Sequence, residues 1–177
     1  TEFGIIFSTM GISSVFMPAL TGIISDRFLN AEKLYGLLHF FGAGALFFLP
    51  QVDNPTTFFW VMLVNMFFYM PTISLSITVA YNALIVKDMD VVKDYPPIRI
   101  WGTIGFIVAL WVVSLTHNET SANQFYIAGV VSIILGIYAF TLPKCPPMCK
   151  GEKNTSFSRA LGLNAFELFK QRKFAIF

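Results

Sequence analysis

Five apolar stretches, each about as long as a bilayer is thick, constrain this chain more than any other feature. They run over residues 3–25, 34–50, 56–86, 98–115 and 125–143, and a spanning helix needs roughly 20 mostly apolar residues. Hydrocarbon offers the backbone no hydrogen-bond partners, so only helices or a closed barrel can cross it, and runs of this length fit helices. The predicted fold class is all-α, a polytopic membrane protein with the lipid bilayer as its first partner. Composition agrees: 55% of residues are hydrophobic, 16% aromatic and only 12% charged, far from the averages of a water-soluble domain. Nucleic acid is not among the expected partners.

Basic residues orient the spans. Arg27 and Lys33 follow the first; Lys87, Lys93 and Arg99 follow the third. Lys144, Lys150, Lys153, Arg159, Lys170, Arg172 and Lys173 follow the fifth, which completes all 12 lysines and arginines. The segments "TEFG", "QVDNPTT" and "THNETSANQ" hold none. Because positive loops stay cytoplasmic, each span crosses once, Thr1 lies on the outer side and residues 144–173 form a cytoplasmic loop. The chain opens on a hydrophobic run without Met, and "KFAIF" at residues 173–177 reads as a further span beginning at 174. It is expected to be an internal piece of a larger transporter-like protein, with the missing remainder as a partner.

Polar and small residues indicate which helix faces meet protein. In the first span Gly4, Ser8, Gly11, Val15, Pro18 and Gly22 fall within about 40° of one direction. A small-residue stripe lets another backbone approach, so it predicts a packing face with a kink at Pro18. The third run carries Asn65, Tyr69, Pro71, Thr72, Ser74, Ser76, Thr78, Tyr81 and Asn82. These either line a polar cavity or bond to their own backbone one turn back.

The stretch "DYPPIRIWGTIGF" places an arginine at the head of the fourth span. Proline suits the start of a helix, so the span is predicted to begin near Pro97 or Ile98, with Arg99 in its first turn. Such an arginine commonly snorkels to the headgroups. The helical wheel opposes that reading here. With Arg99 at 0°, Thr103, Phe106 and Leu110 fall within about 40° of it, and Gly102, Gly105 and Ala109 occupy about 240° to 300°. Ile100, Trp101, Ile104, Ile107, Val108 and Trp111 fill about 80° to 200°, the lipid side. Arg99 therefore shares a lipid-averted face with a hydroxyl and an aromatic ring, which suits a flat polar solute or an internal ion pair.

Other signals carry less. His39 stands alone among glycines and aromatics, as a hydrogen-bonded packing residue or a proton handler. Cys145 and Cys149 lack the second ligand pair of a zinc site and read as reduced thiols, so no metal site is expected. Asn118 in "NET" is a chance glycosylation match, and "NAFE" at 164–167 reads as the cap of a short helix. No cluster of His, Cys or carboxylates shares a cavity, so no catalytic residue is assigned and an enzyme is disfavoured.

The segments "GISSVFMPALTGIISDRFL", "YMPTISL", "DYPPIRIWGTIGFIVALWVVSL" and "LGLNAFELFKQRKFAIF" together resemble the nucleoside:proton symporter family of the major facilitator superfamily. The resemblance implies a twelve-helix fold in two halves, of which this chain would be helices two to six, the central loop and the start of helix seven. It implies nucleoside import by proton symport at a bacterial inner membrane, with no cofactor and protons as the coupling ion. It further implies Arg99 and Thr103 as polar partners of the nucleoside and Phe106 as an apolar wall. "GIISDRFLNAEK" is similar to the superfamily's gating loop and keeps Gly22, Asp26 and Arg27, while Asn30 and Ala31 depart from it. A carrier of another solute such as a sugar, or a non-transporting subunit, are the alternative readings.

Overall fold

The computed structural model describes residues 2–147. Five α-helices follow one another: α1 (Glu2–Arg27), α2 (Ala31–Phe48), α3 (Pro55–Val86), α4 (Val91–Leu115) and α5 (Asn123–Ala139), with a 3₁₀ turn (Leu49–Gln51) closing α2. There is no strand among the described residues, and the fold is all-α. Gly4–Arg27, Ala31–Gln51, Pro55–Val86 and Val91–Leu115 are long and apolar enough to cross a membrane. The fifth helix has 17 residues, at the short end of the roughly 17 to 25 that a span takes. The expected cap at 164–167 and the span from 174 lie outside the described residues, as does most of the expected loop 144–173.

Two helix starts are set by side-chain caps. Asn54 accepts the Thr56 N–H at 2.9 Å with Pro55 in the first helical position, where its missing N–H loses nothing. Asp90 accepts the Val92 N–H at 2.9 Å, and Asp94 returns a bond by accepting the Asp90 N–H at 3.0 Å. This reciprocal cap starts α4 at Val91, about two turns earlier than the proline pair had suggested. Pro96 and Pro97 lie inside the helix. Their lost bonds are those to the Val92 and Lys93 carbonyls, at exposed positions where solvent can replace them.

The packing order differs from the chain order. α3 lies against both α1 and α2, which scarcely touch one another, and α2 packs on α5. Glycines permit the α2–α5 approach. A Cβ at Gly36 would stand 3.0 Å from the Gly136 carbonyl oxygen, and one at Gly136 would stand 3.3 Å from that of Gly36. In lipid such close backbone packing replaces the hydrophobic drive available in water. Phe40 and Phe140 stack beside the crossing at 6.1 Å. Asn65 on α3 donates its amide to the Gly42 carbonyl of α2 at 3.0 Å, setting the register of that pair.

The α1 face packed on α3 is not the small-residue stripe. Thr9, Ser13, Thr21 and Ser25 are buried, one member of a four-residue repeat per turn. Each hydroxyl donates to its own helix, as in Ser13 to the Thr9 carbonyl at 2.8 Å and Thr21 to that of Met17 at 2.8 Å. With their hydrogens bonded internally, small hydroxyl residues pack as tightly as alanine. Gly4, Gly11 and Gly22 instead have nothing within 4 Å of a Cβ position among the described residues. On α3 the hydroxyls of Thr72, Ser76 and Thr78 also return to their own helix, the second of the two arrangements open to that polar run.

A core of Ala31, Leu34, Leu38, Leu75, Val79 and Cys145 joins α2, α3 and the segment after α5. Glu32, 3% exposed, ties this end together: its carboxylate accepts the Cys145 N–H at 2.9 Å and the Asn30 side-chain amide at 3.0 Å. The Ala31 N–H donates to the Cys145 carbonyl at 3.1 Å, and Asn82 donates to the Lys144 carbonyl at 3.1 Å.

Candidate solute-binding face

Residues 91–115 stand apart from this core. None of the 25 residues of α4 is buried, and the helix touches α3 only lightly. One contact is Tyr95 set edge-on against Tyr81, ring centroids 4.6 Å apart. Since α4 begins at Val91, Arg99 stands in its third turn rather than its first, roughly 12 Å from the helix start at 1.5 Å per residue.

Arg99, Thr103 and Phe106 follow one another at four- and three-residue steps on a single face of α4, and all three are exposed. Phe106 shows 63% of its surface. Among the described residues nothing bonds to the Arg99 guanidinium or the Thr103 hydroxyl. The latter is notable, because Thr9, Thr21, Thr72 and Thr116 all donate to a carbonyl of their own helix. The face thus offers a planar cationic donor, a hydroxyl free in both senses and an apolar ring. That set matches a flat heterocycle carrying carbonyl oxygens and hydroxyls.

The residues expected in a gating loop fall instead in the last turns of α1. Gly22 and Arg27 are half-buried and Asp26 is exposed, and the side chains of Asp26 and Arg27 make no hydrogen bond or ion pair among the described residues. The carboxylate that organises this end is Glu32. Its role had no signal in the sequence, because its long-range partner is a backbone amide rather than a complementary side chain. Asp26 and Glu32 act on Cys145 as well. Burial first, then these two negative charges, push its thiol above the usual range. Cys149 lies outside the described residues, and among those described no three metal-binding side chains cluster.

His39 faces α5. The Ser132 hydroxyl donates to the His39 carbonyl at 3.0 Å and stands 3.0 Å from its Nδ1. The one hydroxyl thus lies within hydrogen-bond distance of both the ring and the backbone carbonyl of His39. The ring is a packed, hydrogen-bonded helix contact, with Tyr35 edge-on at 4.6 Å.

A profile of the nucleoside H+ symporter family matches residues 1–177. The chain belongs to that family. It is 49% identical over 174 residues to the nucleoside permease NupG of Escherichia coli, covering 98% of this chain and 41% of the permease. To the xanthosine permease of the same organism it is 48% identical over 174 residues, with the same coverage of 98% and 41%. A crystal structure of NupG superposes with a TM-score of 0.81, and that of a point mutant of NupG with 0.87; both are 48% identical and cover 99% of this chain and 43% of theirs. The chain thus spans about two fifths of the length of the relatives it matches. Its long apolar helices and these relatives make it a multi-pass membrane protein.

Proposed function

We propose that this chain forms the nucleoside-binding wall of one half of a proton-coupled nucleoside importer that works by alternating access. The observation that carries this is the uncovered face of α4, where Arg99, Thr103 and Phe106 present unbonded polar groups and a ring. Arg99 and Thr103 hydrogen-bond the nucleoside and Phe106 packs on it. Relatives named as nucleoside and xanthosine permeases support the substrate class. They are permeases rather than enzymes, and they do not favour a sugar carrier or a non-transporting subunit. Protons serve as the coupling ion and no other cofactor takes part.

The basic loops support a cytoplasmic location for residues 144–173 and an outer location for Thr1 in a bacterial inner membrane. Gly22, Asp26 and Arg27, in the last turns of α1, gate the cytoplasmic side and face the other half of the carrier.

In the intact carrier, Arg99→Ala should lower uridine uptake roughly tenfold to a hundredfold, the worth of a hydrogen bond to a charged group, at unchanged membrane level. Normal uptake would return Arg99 to an anchoring role. Uptake into proteoliposomes that ignores an inward proton gradient would rule out symport.

A further inference from the structure

The face that carries Arg99, Thr103 and Phe106 continues toward the start of α4. Tyr95 lies four residues before Arg99, about 40° from it around the helix and about 6 Å along it. Only Val92, in the first turn, shares that direction within about 40° before the helix begins. A solute held at Arg99 that leaves by the end where α4 starts therefore meets Tyr95 next. On the orientation proposed above, that end is the cytoplasmic one.

Tyr95 is held in place from both sides. Tyr81 on α3 meets it edge-on, with ring centroids 4.6 Å apart and ring planes at 90°. Tyr81 stands five residues before α3 ends and Tyr95 four after α4 begins, so consecutive helices hold the pair at one level. Pro96 and Pro97 lock φ in the next two residues, and the Asp90–Asp94 cap fixes the turn before. An edge-to-face pair settles the plane of each ring. The pair is nonetheless open: Tyr81 is 38% exposed and Tyr95 half-buried, and among the described residues neither phenol hydroxyl makes a hydrogen bond.

Two simpler roles fit less well. Tyrosines of a membrane-interface belt lie against lipid, whereas Tyr95 points away from the lipid-side arc that includes Trp101 and Trp111. A pair that only fastened α3 to α4 would be enclosed between them, and Tyr81 is not. What remains is aromatic surface of fixed orientation, one turn from a cationic donor, beside the route out.

We propose that Tyr95, its ring set by Tyr81, is a further nucleoside-contacting residue on which the base stacks on the cytoplasmic side of Arg99, and that it favours purine over pyrimidine nucleosides. This deepens the nucleoside reading above and rests on it. Stacking on an aromatic ring accepts any base, and its strength follows the ring area in contact, which is larger for a purine. Tyr81 touches no solute and acts as a positioning residue.

The test is equilibrium binding of radiolabelled adenosine and uridine to the purified intact carrier. Tyr95→Leu should weaken adenosine roughly fivefold to a hundredfold, the range of lost base–aromatic stacking, and uridine clearly less. Tyr95→Phe keeps the ring and should bind both as wild type does, and Tyr81→Leu should show the same bias as Tyr95→Leu in smaller degree. Equal losses for the two nucleosides, no loss, or a loss in Tyr95→Phe matching that in Tyr95→Leu would overturn the proposal. Contact is read separately in a carrier whose single cysteine is Tyr95→Cys, labelled at 4 °C by a membrane-impermeant methanethiosulfonate in inside-out vesicles. Adenosine should slow this labelling while leaving Lys93→Cys, on another face of α4, unchanged; labelling of Tyr95→Cys that ignores adenosine would remove the contact. A wild-type carrier that binds neither nucleoside fails the assignment above and this proposal with it. One that binds both, with Tyr95→Leu binding them equally well, fails this proposal alone.

Discussion

The carboxylate of Glu32 accepts the backbone N–H of Cys145 at 2.9 Å across 113 residues of sequence. This bond and its neighbours fasten the segment leaving α5 to the start of α2.

Glu32→Ala should lower the thermal midpoint of the detergent-solubilised protein, costing about 1–3 kcal/mol for the buried donors left unpaired. Glu32→Gln keeps a carbonyl oxygen for Cys145 and should cost clearly less. Equal loss in both variants, read by differential scanning fluorimetry, would point to the charge rather than the hydrogen bond.

Cys145 should resist alkylation at neutral pH, because the thiolate is the reactive form and burial with Asp26 and Glu32 raises its pKa. In a Cys149→Ser background, maleimide labelling should accelerate only at a higher pH than for an exposed cysteine, and Glu32→Gln should move that rise downward. The linkage has one sign. A folded pKa above the unfolded one stabilises fully below the unfolded value and loses that contribution as pH climbs through the folded value. Stability should therefore decline on the alkaline side, measurably less so in Cys145→Ala.

Gly36→Val should disrupt the α2–α5 crossing. Even a single Cβ at Gly36 meets the Phe140 ring at 2.9 Å and the Gly136 carbonyl at 3.0 Å. The ring can swing aside, but the carbonyl belongs to backbone. A loss of about 1–3 kcal/mol is expected from such overpacking. Gly44→Ala, with nothing within 4 Å among the described residues, serves as the control and should be near neutral.

Two helix ends offer a gain in stability. Asp88 and His117 each have φ of 54°. At Asp88 the N–H of Met89 returns to the Leu84 carbonyl at 3.0 Å, and after His117 the N–H of Asn118 returns to Val113 at 3.0 Å. Both are the six-to-one bonds of a helix end that favours glycine in the left-handed position. Asp88→Gly and His117→Gly should each raise stability by a few tenths to about 1 kcal/mol, the relief of left-handed strain set against glycine's entropy. Lys87→Gly, at φ −95°, should not.

Hydrophobic run length was enough to read an all-α bundle, and the wheel was enough to put Arg99, Thr103 and Phe106 on one face of α4. What failed to show were features that depend on the backbone or on a distant partner. The start of α4 was misplaced because Pro96 and Pro97 outweighed Asp90 and Asp94, whose mutual capping holds two proline-interrupted turns in place. Hydroxyls on α1 were overlooked as packing residues because their polarity disappears once they bond to their own helix. Glu32 looked like an ordinary first-turn acid, since nothing about "PKCPP" marks its amide as a partner.

The pairing of α2 with α5 also separates the order of synthesis from the order of packing. Ser132 is made 93 residues after His39, which takes roughly 5–20 s at translation rates of about 5–20 residues per second. Through that interval α3 and α4 enter the bilayer while the glycine face of α2 has no helix to receive it. Until then that face has some other neighbour, and the closing of α5 onto α2 is an exchange of that neighbour for protein late in synthesis.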